Sequence, residues 1–172
     1  YKGHEHTIRT VARLREDDIP ATVTIIGGSD EYEGELRSLA SRLGLDEVVE
    51  FTGRIPHSSV MEAIATCDIF VLPSWREGFG ISHVEAMAHG KPAIGCRGEG
   101  PSDSIVDGET GYLVPPRDVD ALTDRLRCLY QNPDLARKIG EAARKRALST
   151  FTRADTVEQY YRLYNNLAST AD

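Results

Sequence analysis

The chain has 172 residues, a length typical of one domain, and its hydrophobic fraction of 40% is enough to form a core. Its net charge is −7 and its pI is near 5.3, which argues against nucleic-acid binding because such proteins usually present a basic surface. No apolar run approaches the roughly 20 residues of a transmembrane helix, and the N-terminus lacks a signal-peptide pattern. We therefore expect a soluble, cytoplasmic protein.

The cysteines and the chain start add two further expectations. Cys67, Cys96 and Cys128 are odd in number and far apart in the sequence, which predicts free, buried thiols in a reducing compartment. The sequence begins Tyr1-Lys2-Gly3 without an initiator methionine, and we interpret it as part of a longer polypeptide.

Up to residue 114, short β-branched runs alternate with amphipathic stretches. In chain order the pattern predicts a helix at 4–15, a strand at 22–26, a helix at 31–43, a strand at 48–51, a helix at 59–65, a strand at 69–72, a helix at 81–89, and strands at 93–96 and 112–114. The strands are apolar on both faces, as in parallel sheets covered by helices on each side. The prediction is an α/β fold, a doubly wound and mostly parallel Rossmann-like sheet with helices on both faces.

The remaining sequence predicts a C-terminal helical extension, with helices at 119–130, 134–148 and 153–167. Asp118 is placed to cap the first of these helices. The last helix carries Val157, Tyr161 and Tyr164 at spacings of three and four, which indicates an apolar stripe that needs a partner surface. The sequence has no internal repeat and no linker, so residues 1–172 are predicted to form a single domain.

The best candidate for a ligand site follows the 69–72 strand, because ligands of open α/β sheets lie beyond the carboxyl ends of the strands. This segment reads EGFGISHVEAMAHGKPAIG from Glu77. Gly78 and Gly80 precede a predicted helix start, and their missing Cβ atoms let backbone amides approach a ligand. The helix dipole favours an anion there, and phosphate is the common biological one.

Two carboxylates, Glu77 and Glu85, flank this predicted anion site. A negative charge beside a phosphate is unfavourable, so these residues need a compensating interaction. Accepting hydrogen bonds from the hydroxyls of a ribose or a sugar is such an interaction. The alternative is a solvated Glu85 and an ordinary loop residue at Glu77, since a Gly-rich turn before a helix is a weak motif.

The Glu-x7-Glu spacing from Glu77 to Glu85 resembles the donor-site motif of glycosyltransferase family 4, the retaining group 1 enzymes of the two-Rossmann-domain (GT-B) fold. Further segments resemble that family in the same order, at 2–4, 23–28, 49–53, 67–74 and 107–115. The resemblance covers nearly the whole chain. It implies the C-terminal, donor-binding domain of such an enzyme, without the N-terminal acceptor domain.

The resemblance also implies a role for each matching residue. Lys2 neutralises the departing diphosphate, Glu77 binds hydroxyls of the transferred sugar, and Glu85 binds the ribose hydroxyls. The diphosphate contacts the backbone amides of Gly78, Phe79, Gly80 and Ile81. The nucleobase contacts the loop of Gly53, Arg54 and Ile55. An arginine that usually assists the lysine, and the strand that leads into it, would precede Tyr1.

The implied activity is transfer of a sugar from a nucleoside diphosphate sugar to an unidentified acceptor, with retention and with neither cofactor nor metal. We expect this chain alone to be inactive. Basic residues at 137–138 and 144–146 are most simply a solvated helix face. Family members that glycosylate lipids touch anionic membranes, so the resemblance leaves a peripheral membrane contact as the alternative. The alternative functions are a GT-B sugar-nucleotide epimerase and a regulatory Rossmann module that binds a plain nucleotide.

Other candidate motifs are weaker. Asp118 and Asp120 form an Asp-x-Asp, a metal motif elsewhere, but helix capping explains them better. His4 and His6 point to different faces of a predicted helix, which disfavours a metal site. His83 occupies the third glycine position of a dinucleotide fingerprint, which argues against a dehydrogenase; it either lines the site or is a partly exposed helix residue. At residues 100–103 the chain departs from the commoner family pattern, which has a glutamate nearby; Asp103 is the candidate to replace it, but we assign it no role.

Overall fold

A computed structural model describes residues 1–28 and 30–169. The described residues form eight helices and five strands: α1 His4–Glu16, β1 Val23–Ile26, α2 Asp30–Arg42, β2 Val49–Gly53, α3 His57–Thr66, β3 Phe70–Val71, α4 Ile81–Ala88, β4 Ala93–Cys96, α5 Pro101–Ser104, β5 Gly111–Val114, α6 Val119–Gln131, α7 Pro133–Thr150 and α8 Arg153–Ser169. Every helix and strand predicted from the sequence is present, with ends that shift by one or two residues.

All the strand pairs are parallel, which confirms the predicted α/β fold class. β1 pairs with β2, and β4 lies between β3 and β5. Within the described residues the strands form two ladders, and none joins β1 to β3. The carboxyl end of each strand leads into the next helix, so the loops that could bind a ligand follow the strands.

β4 and β5 are buried at every position, as their apolar sequences predict. Their side chains alternate between two cores. Ala93 packs in a cluster with Met87 of α4 and Ala143 of α7. Ile94, the next residue, packs in a cluster with Leu122 of α6. Helices therefore cover both faces of this ladder.

β1 and β2 depart from the prediction of strands that are apolar on both faces. Ile25 and Val49 are buried against α1 and α2. Thr24 and Glu50 lie on the opposite, exposed face, where the Thr24 hydroxyl donates to Glu50 Oε2 at 3.2 Å. Helices α1 and α2 bury only one face of the β1–β2 pair. The other face is exposed to solvent, which explains its polar side chains.

The C-terminal helices follow the predicted order. Asp118 Oδ1 accepts a hydrogen bond from the Ala121 amide at 2.9 Å, which confirms the predicted cap of α6. The short helix α5 was not predicted, because its four residues follow a glycine-rich loop and give no periodic pattern; Pro101 occupies its first turn. Among the described residues, no helix is long and apolar enough to cross a membrane.

Candidate functional site

Lys2 and Glu77 meet at the carboxyl end of β3, although 75 residues separate them in the sequence. The Lys2 Nζ lies 2.8 Å from Glu77 Oε2, and the exposed fractions of the two side chains are 38% and 17%. Gly3 makes this approach feasible: its φ is +81°, and a Cβ there would lie 2.4 Å from the Pro73 carbonyl oxygen. The structure thus brings the two predicted catalytic residues together as a half-exposed ion pair.

The anion site predicted at the start of α4 has the required backbone geometry. Gly80 precedes the helix with φ +79°, and a Cβ there would lie 2.8 Å from His83 Nδ1. The first intrahelical hydrogen bond runs from the His83 amide to the Gly80 carbonyl, at 2.9 Å. The amides of Ile81 and Ser82 come before that bond, so they have no acceptor within the helix. They can donate to an anion that the helix dipole also favours.

The remaining predicted residues of the α4 loop leave room for a ligand. No atom lies within 4 Å of the position that a Cβ would take on Gly78. The side chains of Phe79 and Ile81 are exposed. The loop therefore presents its backbone at an accessible surface.

Glu85 lies one turn into α4 and has a partner that the sequence analysis missed. Its Oε1 is 3.8 Å from Nε2 of His57, the first residue of α3. The loop predicted to contact the nucleobase, Gly53 to Ile55, ends β2 and leads directly into α3, with Arg54 exposed. The structure therefore brings the helix after this loop to Glu85. A histidine placed just after a candidate loop could have indicated the contact.

His83 neither lines the candidate site nor is partly exposed on the helix, the two positions that the sequence left open. Its side chain is completely buried between α4 and the β3–β4 strands. Nε2 donates to the Leu72 carbonyl at 3.2 Å, and the ring packs edge-on against Phe70. Burial lowers the pKa of His83, so the imidazole is neutral. His83 supports the loop from beneath.

Glu99 is a second residue that the sequence analysis missed. Its Oε2 accepts a hydrogen bond from the Glu77 amide at 3.1 Å. Asp103, the residue considered as a replacement for the family's glutamate, is exposed on α5. The carboxylate that reaches Glu77 from this part of the chain is therefore Glu99. The sequence contained an indication, since Glu99 lies between two glycines after the predicted 93–96 strand.

An aromatic contact links the α4 loop to the junction between α7 and α8. The rings of Phe79 and Phe151 meet edge-to-face, with centroids 5.7 Å apart. Arg146 lies over the Phe151 ring at 5.4 Å and donates to the Ser104 carbonyl at 2.7 Å. The start of α8 is thereby attached to the candidate site.

The motifs considered for metal binding have other contacts. Asp120 pairs with Arg13, and the His6 ring packs edge-on against Trp75. Within residues 1–28 and 30–169, no three His, Cys, Asp or Glu side chains are grouped so that they could hold a metal ion.

The three cysteines are free thiols, as predicted. The prediction that all three are buried is wrong for Cys67 and Cys128, which are partly exposed. Cys96 is buried at the end of β4. Burial, and to a lesser extent the charge of Glu99, raises the pKa of its thiol to about 11. Cys96 therefore stays protonated and unreactive at neutral pH.

Comparison with known proteins agrees with the geometry. The sequence profile described as "Glycosyl transferases group 1" matches residues 1–146. The chain is 36% identical to EpsD of Bacillus subtilis (strain 168) over 95% of its length. It is 35% identical, over 87% of its length, to the GDP-mannose-dependent alpha-(1-6)-phosphatidylinositol monomannoside mannosyltransferase of Mycolicibacterium smegmatis.

A solved structure has the same fold. HepE of Anabaena, in complex with UDP and glucose, superimposes with a TM-score of 0.83 at 26% identity, over 98% of this chain and 45% of that one. The chain spans 42% of the length of EpsD and 41% of that of the mannosyltransferase.

Proposed function

Because the chain belongs to the glycosyl transferases group 1 family, we propose that it forms the donor-binding domain of a retaining glycosyltransferase of the GT-B fold. The observation that carries this proposal is the Lys2–Glu77 pair beside the start of α4, with Glu85 one turn further along the helix. The donor is a nucleoside diphosphate sugar. The acceptor binds to another part of a longer polypeptide.

The diphosphate binds at the start of α4, against the amides around Phe79, Gly80 and Ile81. Lys2 supplies the positive charge, and its contact with Glu77 offsets the cost of a carboxylate close to a phosphate. Glu77 is then available to accept hydrogen bonds from hydroxyls of the sugar.

The nucleoside lies towards α3. Glu85 accepts hydrogen bonds from the ribose hydroxyls, and His57 adjoins the same carboxylate. Gly53, Arg54 and Ile55 contact the nucleobase from the end of β2.

During transfer, the bond between the anomeric carbon and the diphosphate oxygen breaks and negative charge develops on the diphosphate. The helix amides and Lys2 stabilise that charge, which lowers the barrier because they are already oriented. Glu77 holds the sugar in position for the acceptor. Lys2 and the helix start do the work that a metal ion does in other sites, so the reaction needs no metal.

The names of similar proteins support the donor class. One relative is a GDP-mannose-dependent mannosyltransferase, and one solved relative holds UDP and glucose. A mannosyltransferase among the relatives favours sugar transfer over epimerisation. UDP-glucose and GDP-mannose are therefore the first donors to test.

Substitution of the two glutamates tests the assignment. Glu85→Ala should weaken binding of a nucleoside diphosphate by about 1.5–3 kcal/mol, because a charge-assisted hydrogen bond to the ribose is lost. Glu77→Ala should not weaken that affinity, because the nucleoside diphosphate carries no sugar, and it should lower kcat in the complete enzyme. Isothermal titration calorimetry and steady-state kinetics measure the two effects.

Glu109→Ala is the matched control, since it removes an exposed carboxylate from the loop before β5. It should change neither quantity. Equal nucleotide affinity of wild type and Glu85→Ala would remove the ribose assignment.

A further inference from the structure

The loop that follows β4 holds the backbone of Glu77 on both sides. Glu99 Oε2 accepts from the Glu77 amide at 3.1 Å. The next residue, Gly100, donates its amide to the Glu77 carbonyl at 3.0 Å. Gly100 also packs on the neighbouring peptide: a Cβ there would lie 2.3 Å from the Gly78 carbonyl oxygen. One short loop therefore fixes both polar groups of the Glu77 main chain.

These contacts matter because the residue that follows Glu77 is a glycine. Gly78 has open space around its Cβ position, and glycine restricts the backbone less than any other residue. The Glu77 side chain meets Lys2 at its far end. The direction of the Glu77 side chain therefore depends on how the Glu77 backbone is oriented. The Glu99 carboxylate is suited to hold that backbone, because a charged oxygen is a stronger acceptor for an amide than a neutral one.

We propose that Glu99 is a positioning residue of the donor site, which orients Glu77 towards the transferred sugar. The proposal rests on the proposed function. Glu99 acts through Glu77 and does not touch the sugar. Its contribution therefore appears with a donor that carries a sugar and not with the nucleoside diphosphate alone.

The test compares the affinity for a sugar nucleotide with the affinity for the corresponding nucleoside diphosphate. Two ligand pairs are used: UDP-glucose and UDP, and GDP-mannose and GDP. Glu99→Ala should weaken sugar-nucleotide binding about tenfold and change nucleoside diphosphate binding less than about twofold. Glu99→Gln keeps an oxygen that accepts from the Glu77 amide, so it should restore most of the sugar-nucleotide affinity. Asp103→Ala, which removes an exposed carboxylate four residues away, should match wild type.

A double-mutant cycle separates positioning from direct contact. In a Glu77→Ala background, Glu99→Ala should have no further effect on sugar-nucleotide affinity, because the residue through which it acts is gone. An additional loss there would mean that Glu99 contacts the sugar itself, and would overturn the proposal.

Three further outcomes are decisive. An equal loss of both ligands in Glu99→Ala would identify a merely structural role for the loop, since the same loop supports the diphosphate site. Undiminished sugar-nucleotide affinity in Glu99→Ala would overturn the positioning role and leave the proposed function intact. If wild type binds neither ligand of either pair, both proposals fall.

Discussion

At the scale of residues, His83 shows how burial sets a protonation state that affects the stability of the fold. Burial lowers the pKa of His83 in the folded protein, whereas an unfolded histidine titrates at about 6.5. Below about pH 6.5 the unfolded chain therefore takes up a proton that the folded chain does not, and the free energy of unfolding falls as the pH falls. The pKa values of His4 and His6 are also lowered by burial and act in the same direction.

His83→Gln should reduce this pH dependence, since glutamine can still donate to the Leu72 carbonyl but does not titrate. Urea unfolding at about pH 7.5 and about pH 5.5 measures the change in the free energy of unfolding. The change should be smaller in the variant, whatever its stability at neutral pH. An identical change in both proteins would show that His83 does not contribute.

Residues also mark the limit of prediction from sequence. Glu77 and Glu85 were identifiable because they lie in one motif of fixed spacing, eight positions apart at either side of a helix start. Glu99 and His57 were missed because their relation to those glutamates exists only after β4 and α3 have packed beside α4. Their positions after predicted strands indicated candidates, but contacts between separate segments leave no periodic pattern.

At the scale of elements, the order of strands and helices follows from hydrophobic periodicity, which alternates along the sequence. The pairing of the strands into two ladders does not follow from this periodicity, since each strand has a similar composition. The polar face of β1 and β2 was also missed. Thr24 and Glu50 are a single pair of polar residues on two short strands, too few to show that one whole face lacks a covering helix. Tertiary packing decides both features.

The junction between α7 and α8 contributes to the geometry of the α4 loop through the contact between Phe79 and Phe151. Phe151→Ala should lower the free energy of unfolding by about 1 kcal/mol, the contribution typical of an aromatic pair. It should also weaken nucleoside diphosphate binding two- to threefold, an order-of-magnitude estimate for less well-ordered Phe79 and Gly80 amides. Urea unfolding and calorimetry measure the two effects.

Leu148→Ala is the control for the Phe151 substitution, because Leu148 is an exposed apolar residue near the same end of α7. It should leave nucleotide affinity unchanged. Equal affinities of wild type and Phe151→Ala would show that the aromatic contact serves α8 alone.

At the scale of the whole molecule, α8 is the helix whose apolar side chains stay most exposed within the described part of the chain. A reciprocal pair of contacts between Thr152 and Asp155 caps its start. Beyond this start, its apolar residues Val157, Tyr161 and Tyr164 are each more than half exposed. The spacing of these residues predicted an apolar stripe, and the structure leaves that stripe exposed.

The exposed stripe should cause weak, concentration-dependent dimerisation of the chain, because none of the described residues covers this apolar surface. A chain truncated after Thr152 should remain folded and monomeric. Analytical ultracentrifugation of both forms over a range of concentrations, together with thermal unfolding, makes the comparison. Strictly monomeric behaviour of both forms, with equal stability, would show that the stripe neither self-associates nor supports the fold.

The central claim is that a nucleoside diphosphate binds at the start of α4. The most direct measurement is an NMR titration of the 19.0 kDa chain, in which amide chemical shifts are followed as UDP or GDP is added in the presence of EDTA. The largest shifts should occur at the amides from Gly78 to Ser82, with smaller ones at Glu85 and His57, and the same shifts should appear without EDTA. Shifts centred on another edge of the sheets, or binding that requires Mg²⁺, would contradict it.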